Sequence, residues 1–188
     1  INPMHGGAIY EKRSCLDDKL NQQIASSSLS IIDDPHIPRG LGSRPHDGDG
    51  LPTQRRYLVE NGFLKTWLLN VYYARRLGAE PTTSSTSNLV VSPGSKTPED
   101  LLADLPWAIQ VDGFLGGNSN PATGKYSFGI RGTLFEHGEP VSPISEMNIT
   151  GSIFDLLNGF VDAANDPWLS GSCRSPSLLF DDVQFSGQ

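Results

Sequence analysis

Apolar and polar residues alternate with a period of two over much of this chain, in short runs broken by turn residues. Helical periodicity is confined to a few brief windows. Ser28–Asp33 reads as a half-buried strand that Asp34-Pro35 ends. Thr53–Glu60 and Phe63–Leu69 flank Asn61-Gly62, the strongest short signal for a hairpin. A longer pair of alternating runs, from Tyr126 to Gly151, folds back at Glu136-His137-Gly138-Glu139. Leu89–Val91, Trp107–Leu115 and Ser177–Phe185 add further extended segments, and Gly116–Gly124 reads as a loop.

The helical windows are short. Asn70–Leu77 is a helix capped by Gly78. Thr97-Pro98-Glu99-Asp100 starts another: threonine caps, proline takes the first position, and acids sit near the positive end. Ile153, Phe154, Leu156, Leu157, Phe160 and Val161 lie on one helical face, and Asn165-Asp166-Pro167 closes that helix. Leu16–Ile24 reads as one more short helix. Phe63, Trp67, Tyr72 and Tyr73 are expected in the core. Hairpins outnumber helices, so the fold class is α+β, β-rich, with a mostly antiparallel bent sheet and a few short helices.

Composition sharpens this picture. Glycine (20) and proline (14) are abundant in the 188 residues, which favours short strands and turns. The net charge of -7, with no basic run longer than Arg55-Arg56 or Arg75-Arg76, lacks the basic surface that displaces counterions from nucleic acid. No stretch reaches the roughly 18 to 20 apolar residues needed to cross a bilayer. No basic-then-apolar leader opens the chain. Cys15 and Cys173 lie far apart; they could pair, but two isolated thiols point rather to reduced cysteines in the cytoplasm.

Candidate chemistry is sparse. His36 and His46 flank a Gly/Pro loop with Asp33, Asp34, Asp47 and Asp49. That loop lacks the spacing and terminal glutamate of a calcium-binding EF-hand, so the aspartates are expected to form turns. Glu136 and Glu139 at the hairpin tip are expected to be solvated, and Ser127 and Ser145 show no nucleophile elbow. No catalytic residue is assigned. The best working surface is Asn118–Gly124 with Tyr126, Ser127, Phe128 and Gly129, where a glycine-lined strand would let an extended peptide add to its edge. The alternative is an edge strand with ordinary turns.

Several rare words, in order, resemble the C-terminal domain of the TldD/PmbA family of zinc peptidases and gyrase modulators. They are Ile31–Gly50, Arg55–Gly78 with Trp67-Leu68-Leu69 and Ala74-Arg75-Arg76-Leu77-Gly78, Gly124–Gly129, Phe135–Glu139, Ile149-Thr150-Gly151 and Asn165-Asp166. The resemblance implies a β-rich, barrel-like domain covering residues 1–188, preceded in the whole protein by an N-terminal part. It also implies zinc held by a His-Glu-x-x-x-His helix and a cysteine near the C-terminus of the peptidase subunit. None of His5, His36, His46 and His137 has that spacing. Cys173 falls near the place of the cysteine ligand and is the one weak metal candidate, since a lone thiolate holds zinc poorly.

The chain is therefore most similar to the PmbA/TldE type. On that reading it has no cofactor of its own, and zinc belongs to a partner or to a segment upstream. The partner would be a TldD-like peptidase subunit or a second copy, and the substrates short or unfolded peptides. Two alternatives stay open: a zinc peptidase with its histidine helix upstream, and a stand-alone peptide-binding or scaffolding module.

Overall fold

The computed structural model describes residues 1–187. Its strands fall into three open sheets, none closed into a barrel. The first is a five-stranded sheet formed by β1 (Ile31–Asp33), β2 (Arg56–Glu60), β3 (Phe63–Leu64), β4 (Leu89–Val91) and β9 (Cys173–Arg174), in the order β3-β2-β1-β4-β9. Only β4 and β9 pair in parallel. The second is a four-stranded antiparallel sheet of β5 (Trp107–Ser119), β6 (Lys125–Glu136), β7 (Glu139–Ser152) and β11 (Gln184–Ser186), ordered β11-β7-β6-β5. Strands β8 (Phe160–Ala163) and β10 (Leu178–Phe180) make a small third sheet. The α+β, mostly antiparallel class expected from the alternation is the class observed.

Local chemistry explains the elements that the sequence located well. The two hairpin tips expected from the sequence place two successive residues at positive φ, Asn61 and Gly62 (48° and 83°) and His137 and Gly138 (51° and 82°). That pattern twists the chain in the sense that paired strands require, which is why glycine sits second at each tip and asparagine first at one of them. Helix α2 (Val71–Leu77) is capped by the Asn70 side chain, which accepts from the Tyr73 amide, and ends at Gly78 in the left-handed region. Helix α3 (Pro98–Ala103) carries a reciprocal capping box between Thr97 and Asp100.

Other expectations gave way to tertiary contacts. Leu16–Ile24 forms turns rather than a helix, because the amides of Asn21 and Ile24 are taken by the carbonyls of Leu64 and Gly62. The strand expected over 28–33 pairs only from Ile31 onward. β3 ends at Leu64, after which Leu68 bridges to His5, just ahead of helix α1 (Gly6–Tyr10). Helix α4 (Ile153–Asn158) stops before Phe160, which enters β8 instead. At Gly159 the Asp181 carbonyl passes 2.5 Å from where a Cβ would stand, and the Asp181 amide donates to the Gly159 carbonyl. That close approach starts a strand pairing which helical continuation would forbid.

Likewise the single strand expected over 177–185 divides between two sheets, as β10 and β11. β5 runs on to Ser119, through what reads as loop. Of the four aromatics assigned to the core, Trp67 and Tyr73 are half-buried, but Phe63 and Tyr72 are exposed. Periodicity identified their face without saying that, among the described residues, nothing covers it.

The main core lies against the five-stranded sheet. It is built by Met4, Ile9, Leu58, Leu64, Leu68 and Phe160 with their neighbours. Burying each such side chain contributes about 1.5–3 kcal/mol, which offsets the brevity of the strands. The buried Asn88 fastens the long loop after β1 to this sheet. Its Oδ1 accepts from the Gly42 amide at 2.9 Å, and its Nδ2 donates to the Asp34 carbonyl at 2.7 Å and the Ser43 hydroxyl at 2.9 Å.

Candidate functional site

β5, β6 and β7 are 13, 12 and 14 residues long and stay paired from the hairpin tip to their base, with the register shifting at bulges. Residues paired across an antiparallel ladder share a face. One face therefore carries Val111, Phe114, Phe128, Ile130, Met147 and Ile149, and the other Gln110, Asn118, Ser127, Thr133, Asn148 and Thr150. Ile130 and Ile149 are buried on the apolar face, whereas Phe114 and Trp107 remain exposed along β5. Phe114 and Tyr126 both lie beside Phe128, at ring-centre distances of 5.5 and 6.2 Å.

The residues singled out in the sequence meet at the base of this sheet. Tyr126, Ser127, Phe128 and Gly129 lie in β6, which is flanked on both sides by β5 and β7. That strand is interior, so a peptide cannot add to it. Among the described residues, the unpaired edge beside it belongs to β5. The expectation of an edge at Tyr126–Gly129 is thus corrected by one strand, because the Asn118–Gly124 segment turns β6 inward. The turn is fixed by the Asn120 amide donating to the Lys125 carbonyl, the Gly124 amide to the Asn120 carbonyl, and the Ala122 amide to Asn120 Oδ1.

An open depression of about 430 Å³ lies at this turn, lined by Asn118, Ser119, Asn120, Pro121, Lys125, Tyr126 and Ser127. A smaller one, about 100 Å³, lies beyond Tyr126 and is lined by Thr150, Ser152, Asp155, Asp182 and Gln184, among others. Tyr126 is half-buried and borders both. Burial, and secondarily the carboxylate of Asp155, pushes its phenol above the ordinary range, so it remains a protonated hydroxyl at neutral pH. Lys125, Asp155 and Asp182 were missed in the sequence. The register Lys125↔Ser152 brings the start of α4 beside β6, and Gln184↔Thr150 brings Asp182 to the same end of the sheet; neither pairing has a local signal in the sequence.

The remaining candidates are structural in their contacts. Asp34 Oδ1 accepts from the His36 amide, and Asp47 Oδ1 from the amides of Asp49 and Leu51, the turn-forming use expected for this loop. Asp33 is buried, with Oδ1 accepting from the Ser87 amide at 2.6 Å. Glu136 and Glu139 are exposed at the hairpin tip. Cys173 is exposed on β9, paired with Leu89, while Cys15 is half-buried and its thiol is pushed up, chiefly by burial.

Among the described residues, no three His, Cys, Asp or Glu side chains are grouped so as to hold a metal ion. A lone exposed thiol does not make a four-coordinate zinc site, so these residues do not fit zinc by themselves. Among the described residues, no helix is long and apolar enough to cross a membrane.

This combination defines a class: an antiparallel α+β domain with a packed body and a long exposed sheet, without its own metal-binding cluster among the described residues. The model of the PmbA/TldA metallopeptidase C-terminal domain matches residues 1–187, and the chain belongs to the PmbA/TldD family. It is 32% identical to the metalloprotease PmbA of Escherichia coli O157:H7, over all of this chain and 42% of the relative. It is 35% identical to the PmbA homologue of Haemophilus influenzae, over 97% of this chain and 41% of the relative. A crystal structure of a candidate modulator of DNA gyrase from Bacteroides thetaiotaomicron superposes with a TM-score of 0.97 at 42% identity, over 100% of this chain and 43% of that one. TldE from Thermococcus kodakarensis, 24% identical with a TM-score of 0.91 over 99% of this chain and 46% of that one, shares the fold. The chain spans about two fifths of the length of these relatives.

Proposed function

We propose that this domain belongs to a non-catalytic, PmbA/TldE-type subunit of a cytoplasmic metallopeptidase assembly that acts on short or unfolded peptides. The observation that carries the reading is the likeness to PmbA proteins along the whole chain, joined to a long sheet whose base is open, polar and free at the β5 edge. A TldD-like subunit supplies zinc, base and water. Zinc held by that subunit would supply Lewis-acid polarisation of a peptide carbonyl and a lowered pKa for bound water. This domain supplies contacts between subunits and part of the surface along which peptide backbone lies. Exposed backbone at a strand edge recognises a peptide without regard to its sequence, which suits an assembly that clears mixed peptides.

The test is the zinc content of the full-length protein, purified alone and then with its co-purified cellular partner, together with peptidase activity of each. Zinc and activity in the complex alone support the proposal. Stoichiometric zinc in the protein alone overturns it in favour of an upstream histidine helix, with the exposed Cys173 free to serve as third ligand. In that case Cys173→Ala abolishes zinc binding; otherwise it leaves fold and activity intact. A protein that neither holds zinc nor joins an active complex is a stand-alone binding or scaffolding module.

A further inference from the structure

The depression at the β5–β6 turn is lined by one cation in an acidic chain, with the Asp155 carboxylate lying beyond Tyr126. The chain has 21 acidic and 14 basic residues, yet the seven residues lining this depression include Lys125 and no carboxylate. The other polar groups there can all donate hydrogen bonds. Asn120 spends its Oδ1 on the Ala122 amide, so its amide nitrogen stays available as a donor. Ser119, Ser127 and Tyr126 contribute hydroxyls, and Tyr126 holds its proton at neutral pH. One ammonium surrounded by donors is chemistry for a carboxylate.

The depression also terminates the free edge of β5, at Asn118 and Ser119. We propose that it receives the C-terminal carboxylate of a short extended peptide, whose backbone adds as a strand to the β5 edge. This rests on the reading of the domain as part of a peptide-cleaving assembly, and it names the end of the peptide that is held. The charge fixes direction. β5 runs toward the depression, so a peptide with its carboxylate at Lys125 lies parallel to β5. An antiparallel peptide would bring its terminal ammonium against the lysine, which like-charge repulsion disfavours. The pairing of β4 with β9 shows that the fold already uses a parallel ladder.

The experiment is isothermal titration of the full-length protein, without partner, using trialanine, C-terminally amidated trialanine and acetate. Trialanine should bind about tenfold or more tightly than its amide, the worth of one hydrogen-bonded charge. Lys125→Gln should remove that preference by weakening the free acid alone. Lys125 is exposed, so the thermal transition of the variant should match the parent. Acetate should bind far more weakly than trialanine, because it lacks the backbone. Equal binding of acid and amide, a preference that survives Lys125→Gln, or no trialanine binding at 10 mM overturns the proposal. Acetate binding as well as trialanine does so too, and marks a site for small anions. Zinc and peptidase activity of the co-purified complex are read separately, so the site can fail while the assembly stands.

Discussion

The two large sheets of this domain are held by different means. In the five-stranded sheet the strands are two to five residues long, and the residues around them form a common core. In the other sheet three strands of 12 to 14 residues rely on each other's ladder, and only Ile130 and Ile149 among their large apolar side chains are buried. Short strands need tertiary burial to survive, whereas a long hairpin fixes its own register by turn and alternation. The self-supporting sheet can therefore leave its faces and its β5 edge open, and the candidate site lies on it.

This contrast can be broken most severely in the body. Leu58→Ala, at a side chain that is fully buried, should cost about 2–5 kcal/mol, while Val141→Ala on the exposed part of β7 should stay within about 0.5 kcal/mol. Paired denaturant titrations of the two variants measure the difference. Similar losses at both positions would mean that something covers the long sheet in the whole protein. Asn88→Ala is next in size. It leaves the Gly42 amide and the Asp34 carbonyl without their partner, at a cost of about 1–3 kcal/mol. Proteolysis should then open the loop between β1 and β2 before it touches the β6–β7 hairpin; cleavage of the hairpin first would reverse the ranking of the two regions.

A smaller effect is expected from pH. Burial raises the pKa of Asp33 above its ordinary 3.8, against the opposing pull of the Ser87 amide, Arg56 and Arg44. The folded state thus favours the protonated carboxyl. Its contribution is fully present below the unfolded value and is lost as pH rises through the folded one. Asp33→Asn, which stays neutral, should gain stability relative to the parent as pH rises from below 3.8 toward neutrality. Melting curves of both proteins across that range follow the gap. A gap that narrows with rising pH would show that the two arginines outweigh burial.

Elements with local chemistry were legible. Asn61-Gly62, Asn70 with Gly78, and Thr97-Pro98 each form the turn or cap that their residue types predict. The misplaced segments are those whose amides are claimed from afar. Leu16–Ile24 gives its hydrogen bonds to the β3 hairpin, and Gly159–Val161 leaves the helix to pair beside β10. The candidate site was half legible: Tyr126 and Asn118–Gly124 stood out as glycine- and asparagine-rich punctuation ahead of a strand. Lys125 gained significance only when the turn enclosed it among donors, and Asp155 only when α4 came beside β6.

Sequence alone thus determined what depends on neighbours within a few residues. Period-two alternation indicated the strand-rich class, turn residues set two of the hairpins, and the ordered rare words pointed to the family. Tertiary structure decided which strand is interior and which is an edge, since that depends on partners remote in the chain. It also decided that one lysine lines a depression with no carboxylate among its lining residues. Local propensity acts through steric limits and nearby hydrogen bonds, while edges, burial and fields exist only once distant segments have met.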